Sequence, residues 1–335
     1  MKLPVGVAFD GFLPVREAMQ LAREAVSAGA TSLWAAEHLG YREATLLCMA
    51  FATSTEGRAR PHCSEPLSLA PYAHGNGRDN VSRGSAGTAV GVGNPLFLHK
   101  SGKEPIKPIR AVEEFVECLR ASGRGKQSTV GARIGFRPPA PIPIYIAAMG
   151  SGMLRLRGRL ADGVVLTACL SREFITRSLS FVDDGARRAG RDTKFLRKAA
   201  RLFLGVARDG TRAKELVRGQ LAFVFLNKFL PENIAAAKIA IDQEAIIAAV
   251  CRRDLSGAAR LVADEAVETF AVAGTRNQCL DRLQSFIDAE VEESVVSIVG
   301  DATERELALQ LVRELKGSVC AWLLFANCTF SEAIM

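Results

Sequence analysis

Several things are missing from this chain of 335 residues. No apolar run reaches the roughly 20 residues that a bilayer-spanning helix needs, so no transmembrane helix is expected. The 8 cysteines (Cys48, Cys63, Cys118, Cys169, Cys251, Cys279, Cys320 and Cys328) form no CxxC pair and no metal-ligand spacing. A zinc site is therefore not expected, and the cysteines read as reduced, mostly buried thiols. No cluster interleaves aromatic and basic residues, although Lys and Arg outnumber Asp and Glu 43 to 36, with net charge +7 and pI near 9.1. The cations are spread along the chain, so a nucleic-acid role is the least expected and an anionic cofactor is a sufficient partner. No signal-peptide pattern precedes the first strand, so the protein is expected to be cytoplasmic. What is plentiful is apolar content, 48%, enough for one large α/β domain or two ordinary ones.

The most informative stretch is residues 138–166, PPAPIPIYIAAMGSGMLRLRGRLADGVVL. Pro141 and Pro143 keep a helix from forming before Ile144, and Ile142, Ile144, Tyr145 and Ile146 make a short apolar run of the kind buried on both faces. Ala147, Ala148, Met149, Gly150, Ser151 and Gly152 follow as a small-residue turn. Met153, Leu154, Leu156 and Leu160 then stripe one face of a helix, and Val164, Val165 and Leu166 begin another buried strand. The pattern is one βαβ unit of a parallel sheet. Its loop is either a plain tight turn or a place where helix-start amides meet a phosphate.

Similar units occupy most of the chain. A first strand over 3–9 ends in Asp10 and Gly11. The helix after Pro14 carries Ala18, Leu21, Ala22, Ala25 and Val26 at helical spacing and closes at Gly29. A second strand over 31–36 ends in Glu37 and His38. Those two are the strongest catalytic candidates, because the reactive groups of a barrel sit at strand C-termini. A histidine bonded to backbone at a strand end is the competing reading of His38. Residues 86–92 resume as an apolar strand ending in Gly91, Gly93 and Asn94. A helix over 109–119 follows. Thr167 stands at the tip of the sixth strand, where it is a phosphate or hydroxyl ligand or simply a strand former. Ser171 caps the next helix, with Glu173 in its first turn. A seventh strand is expected over 198–207. Residues 211–262 are helical for longer than one barrel helix requires, with breaks at Pro231 and Asp254, and their apolar stripes read as core or subunit interface. Residues 269–275, TFAVAGT, are followed by a helix over 278–289 and then by 294–299, SVVSIV. Thr303 with Glu306 has the form of a capping box for a last helix reaching Lys316.

The run PIPIYIAAMGSGML…GRLADGVVL resembles the fifth-to-sixth strand region of the luciferase-like monooxygenase superfamily. Within it the chain is most similar to the branch of methylenetetrahydromethanopterin reductase and other enzymes that use the deazaflavin coenzyme F-420. The resemblance covers residues 1–54 and 86–317. It implies a (β/α)₈ TIM barrel with helical insertions in a single domain over 1–317, followed by an apolar tail over 318–335. It further implies an oxidoreductase acting on a small organic substrate by hydride transfer or monooxygenation, with F-420 or FMN as cofactor. His38, assisted by Glu37, would serve at the reacting centre, and Asp10 would shape the site. Gly91, Gly93 and Asn94 would lie along the cofactor ring, with the phosphate at Ala148, Met149, Gly150, Ser151, Gly152 and Thr167. Asn94 stands where the F-420 branch often has a carboxylate, and Glu290 stands where the family has a helix-ending glycine. A homodimer is also implied.

Residues 57–85 break the pattern. They read GRARPHCSEPLSLAPYAHGNGRDNVSRGS where a third strand is due, with no period and no buried run. With allowed third-base choices, regrouping the codons by one base lets residues 58–78 read VLVPTAVSPYRSHPTHMAMAA, a buried strand, a proline turn and a small-residue helix similar to the family's. The expectation is that this segment is read out of frame, leaving the third strand missing or badly formed and the barrel unable to close normally. A divergent insertion is the alternative origin. An inactive product of a frame-shifted gene, or a non-catalytic flavin-binding relative, is the alternative function.

Overall fold

In the first strand, β1 (Val5–Phe9), every residue is buried. Val5, Val7 and Phe9 join a core shared with the surrounding helices, while Ala8 points the other way, into a second core lined by strands. That is the signature of a strand sealed on both faces of a parallel barrel. The computed structural model describes residues 3–38, 40–66, 87–93, 107–124, 141–147, 149–228 and 230–315. The expected Asn94 and Ala148, and the tail over 318–335, lie outside them.

The order continues with α1 (Val15–Ala28), β2 (Ser32–Ala36), α2 (Ala44–Ser54), β3 (Arg60–Pro66), β4 (Gly87–Gly91), α3 (Pro108–Gly123), β5 (Ile144–Ala147), α4 (Ser151–Leu160), β6 (Gly163–Leu166), α5 (Arg172–Arg188) and β7 (Arg197–Val206). Five helices then form an insertion: α6 (Gly210–Val224), α7 (Pro231–Ala237), α8 (Gln243–Cys251), α9 (Leu255–Arg260) and α10 (Asp264–Phe270). The chain returns through β8 (Val272–Gly274), α11 (Arg276–Ile287), β9 (Glu293–Ile298) and α12 (Ala302–Leu315). Strands β1 to β7 pair in sequence, all parallel, and β9 pairs with both β7 and β1, so an eight-stranded ring closes. Strand β8 lies beyond that ring, paired with the last three residues of β7.

The ring's interior is filled by Ala8, Trp34, Ala89, Tyr145, Val165, Ala199 and Val295. Trp34 lies flat on His62 at 4.1 Å, and Tyr145 stands edge-on to both at 5.3 Å. The barrel is thus a plugged core, and space for a ligand is left to its rims. The insertion helices build a separate core with Cys169 that also packs on Met149, Ala168, Phe203 and Val299, all at or near the C-terminal ends of strands.

Two expectations need correcting. A third strand does form, on Arg60–Pro66, and it pairs with β2 over five residues and with β4 over five. Its polar text is accommodated because few side chains carry the packing. Cys63 goes to the outer core, and His62 goes inward onto Trp34. Pro61 sacrifices no ladder bond. The Arg60 N–H donates to Thr31 on the β2 side, so Pro61 turns its nitrogen toward β4, where pairing begins one residue later at His62 and Gly87. Second, the capping box of the last helix is not Thr303 with Glu306. Asp301 accepts from the Thr303 and Glu304 amides while the Glu304 carboxylate accepts from the Asp301 amide at 2.9 Å. Glu306 instead pairs with Arg313. The helix before β9 closes on Glu290, which takes the left-handed conformation at φ 66° in place of a glycine.

Candidate active site

Alternation along the strands decides which side chains reach the C-terminal mouth. On β1, Ala8 faces inward and so does Asp10 two residues on; on β7 and β9, Ala199 and Val295 are followed by Arg201 and Ser297. These three meet. Arg201 pairs with the Asp10 carboxylate, and its Nε and Nη2 donate to Ser297 Oγ at 3.3 and 3.2 Å. The Arg201 and Asp10 side chains keep only 22% and 16% of their exposure, so the pair is largely out of water.

His38 hangs over this cluster from the end of β2. Its ring lies 5.5 Å from Phe12 and 6.3 Å from Phe223, and Phe12 and Phe223 meet edge-on at 6.0 Å. Burial pushes the imidazole below its ordinary 6.5. Asp10 works against that fall, the nearby Arg201 charge adds to it, and the carbonyls of Ala36 and Asp10 favour the charged ring. The net direction is down, so at neutral pH His38 is an uncharged imidazole, able to donate from one nitrogen and accept at the other. Glu37, its neighbour, turns the opposite way. One carboxylate oxygen accepts from the Ala44 amide at 2.7 Å, at the start of α2, where Glu43 also caps Thr45 and Leu46.

The other half of the mouth is built of small residues. Gly91, Ala147 and Thr167 share the inward parity of Ala89, Tyr145 and Val165. A Cβ on Gly91 would approach the Ala147 carbonyl oxygen to 3.0 Å, and Gly93 has φ 89°. Gly150 is the N-cap of α4 and offers no side-chain acceptor to the amides that follow it. A Cβ on Gly150 would enter open space, whereas one on Gly152 would meet Ile109 of α3 at 2.8 Å. Gly152 is therefore small for helix packing, whereas Gly150 has open space beside it. Met149 is drawn into the insertion core, with its sulfur 3.6 Å from Asn233 Nδ2. Asn233 is 1% exposed and donates to the Ala168 carbonyl at 2.7 Å, tying α7 to the tip of β6. That tip carries two successive left-handed residues, Ala168 at φ 64° and Cys169 at φ 53°. Among the described residues no three His, Cys, Asp or Glu side chains are grouped to hold a metal.

A cavity of about 260 Å³ opens between the ends of β1, β7 and β9, with Asp10, Phe12, Phe203, Gln220, Ser297 and Arg305 among its walls. Of the residues in and around it, sequence reasoning found Asp10 and His38 and missed Arg201, Ser297, Phe12, Phe223 and Arg305. A signal for Arg201 was available: a guanidinium at an inward position of a strand otherwise buried is an anomaly that asks for a partner.

An eight-stranded parallel barrel with its polar cluster and open space at the strand C-termini is the architecture of a (β/α)₈ enzyme site. Residues 65–293 match the luciferase-like monooxygenase family, and the chain belongs to that family. It is 25% identical over 331 residues to a 5,10-methylenetetrahydromethanopterin reductase of Archaeoglobus fulgidus, covering 93% of this chain and 99% of that one. Among solved structures it is similar to the coenzyme F420-dependent tetrahydromethanopterin reductase of Methanopyrus kandleri, with TM-score 0.80, 20% identity and coverage of 94% and 98%. It is also similar to an F420-dependent secondary alcohol dehydrogenase in complex with an F420-acetone adduct, with TM-score 0.76, 18% identity and the same coverage.

Proposed function

We propose that this protein is an oxidoreductase that uses F-420 or FMN at the C-terminal mouth of its barrel to act on a small organic molecule. The observation that carries the reading is the placement of His38: an uncharged imidazole at the mouth, flanked by Phe12 and Phe223 and set beside the Asp10–Arg201 pair. The mouth fits a phosphate-bearing planar cofactor. Gly91, Ala147 and Thr167 take the inward parity of their strands on one side. The uncapped amides at the start of α4, with open space at Gly150, present donors to an oxyanion. Gly150, Ser151 and Thr167 would hold the phosphate, with Ala148 and Met149 as the turn's backbone. Gly91, Gly93 and Asn94 would line the ring. When bound, the cofactor supplies the hydride or electron chemistry; the protein's residues orient, exclude water and handle protons.

In that division His38 donates or accepts a proton at a ring nitrogen next to the reacting centre. Asp10, fixed by Arg201 and Ser297, sets the local charge around the imidazole. Glu37 acts on position, since its bond to the Ala44 amide holds the loop that carries His38. The reading extends to a single barrel domain over 1–317 and to a cytoplasmic homodimer. Leu255 and Leu261 at α9, 67% and 44% exposed, support an interface on the insertion, and sedimentation of the purified protein reads the assembly directly. Titration with F-420 and, in parallel, FMN, followed by fluorescence quenching, tests the whole. Saturable micromolar binding of one of them is expected, and a folded protein that binds neither defeats the reading.

A further inference from the structure

Most cations near the mouth are committed to the protein. Arg201 holds Asp10, Arg42 donates to the carbonyls of Gly11 and Phe12 at 2.9 and 3.0 Å, and Arg212 pairs with Glu304 at 3.1 Å. Arg305, in the first turn of α12, is different. Arg305 lines the cavity at the ends of β1 and β9 and is half-buried, its Nε is fully buried, and among the described residues its side chain has no carboxylate or carbonyl partner. The nearest acids of its own helix start are engaged, Asp301 on the helix amides and Glu304 on Arg212 and the Asp301 amide. A buried guanidinium donor with no acceptor is rare unless something from outside completes it.

We propose that Arg305 receives an oxyanion group of the substrate, a carboxylate or a phosphate, so that this enzyme acts on an anionic molecule. The assignment to substrate rests on the reading that Gly150 and Ser151 take the cofactor phosphate. In a ring ordered β1 to β7 and then β9, strand β5 lies opposite β1. The start of α4 follows β5, whereas Arg305 lines the β1–β9 edge, so the two anion positions face each other across the mouth. A cofactor held at one leaves the other for its reaction partner, with His38 at the end of the neighbouring β2, its ring 5.5 Å from the cavity-lining Phe12. Asp10 does not compete, because Arg201 and Ser297 already hold it on the same wall. The guanidinium's planar pair of N–H groups matches two oxygens of a carboxylate or phosphate.

The test is equilibrium dialysis of inorganic phosphate against the full chain, with and without saturating F-420 or FMN, for wild type, Arg305→Met and Arg305→Lys. Wild type loaded with cofactor is expected to keep one phosphate site. Arg305→Met should weaken that site tenfold or more while leaving cofactor affinity unchanged, and Arg305→Lys should retain most of it. Arg305→Gln provides a second neutral variant if the methionine form does not fold. Equal phosphate binding by wild type and the neutral variant overturns the proposal, as does a cofactor-loaded wild type that binds none. Loss of cofactor affinity together with phosphate would move Arg305 to the cofactor side and overturn the substrate assignment. If neither cofactor binds, the functional reading fails on its own, and the difference between free wild type and free Arg305→Met still decides whether Arg305 holds an oxyanion.

Discussion

His38 and Glu37 show how one step along a strand end separates two roles. Adjacent side chains leave a strand on opposite faces, so only one of a Glu-His pair can look into the mouth. The doublet was legible in the sequence; which member faces inward follows from the parity of Trp34, which the structure supplies. His38→Ala is expected to lower turnover by about a hundredfold to ten-thousandfold without unfolding the barrel, read from steady-state rates beside a thermal melt. Stability carries a second signature. Because the folded-state pKa of His38 lies below 6.5, the unfolded chain binds a proton first as the pH falls. The stability due to the neutral ring is complete above about pH 6.5 and is lost on descending toward the folded-state pKa. His38→Gln should flatten that part of the pH–stability curve relative to wild type, and parallel curves for the two would refute it. Asp10 was found from sequence, but its partner stands 191 residues away, a separation no local pattern can bridge. Arg201→Met strands a carboxylate that is mostly out of water and should cost about 3 kcal/mol in denaturant unfolding. Adding Asp10→Asn should return part of that loss, and additive losses would mean that the two side chains do not act as a pair.

Among the elements, those with strong periodicity emerged where their residues placed them. The βαβ unit around Gly150, the helix capped by Ser171 and the breaks at Pro231 and Asp254 all depend on local chemistry, and local chemistry is what a sequence displays. Strand β3 did not emerge, because its order comes from β2 and β4 on either side and not from its own propensity. It contributes Cys63 to the outer core where β7 contributes Ala200, Leu202, Leu204 and Val206. Hydrogen exchange should therefore find the β2–β3 and β3–β4 ladders opening faster than β7–β9; equal protection would show that pairing alone holds the strand. The turn after α11 offers a gain instead. Glu290→Gly relieves a left-handed residue and gives up an exposed ion pair with Lys198, for a net stabilisation of about 0.5 kcal/mol in chemical denaturation. No change, or a loss, would mean that the Lys198 contact outweighs the backbone.

For the whole molecule, closure of the ring is the central fact, and it corrects the expectation that a broken third strand would prevent it. The length of β7 explains how. Its ten residues pair with β6 at one end, β9 along the middle and β8 at the other end. Closure means that a ligand seated at the mouth touches loops from several strands at once, so it should raise the stability of the entire barrel in a single transition. At a hundred times its dissociation constant the cofactor should add about 2.7 kcal/mol, seen as a rise in melting temperature that grows with ligand concentration. The interior stack has an optical consequence. Of the two tryptophans in the chain, Trp34 and Trp322, the first lies face to face with the His62 imidazole inside the ring and beneath the mouth. In a Trp322→Phe background its emission should be blue-shifted and dimmed in the native state, brightening and moving to the red when the strands part. A cofactor absorbing near that emission would dim it further by energy transfer. The protein thus carries an internal lamp under its own binding site, reporting barrel opening and ligand arrival without an added label.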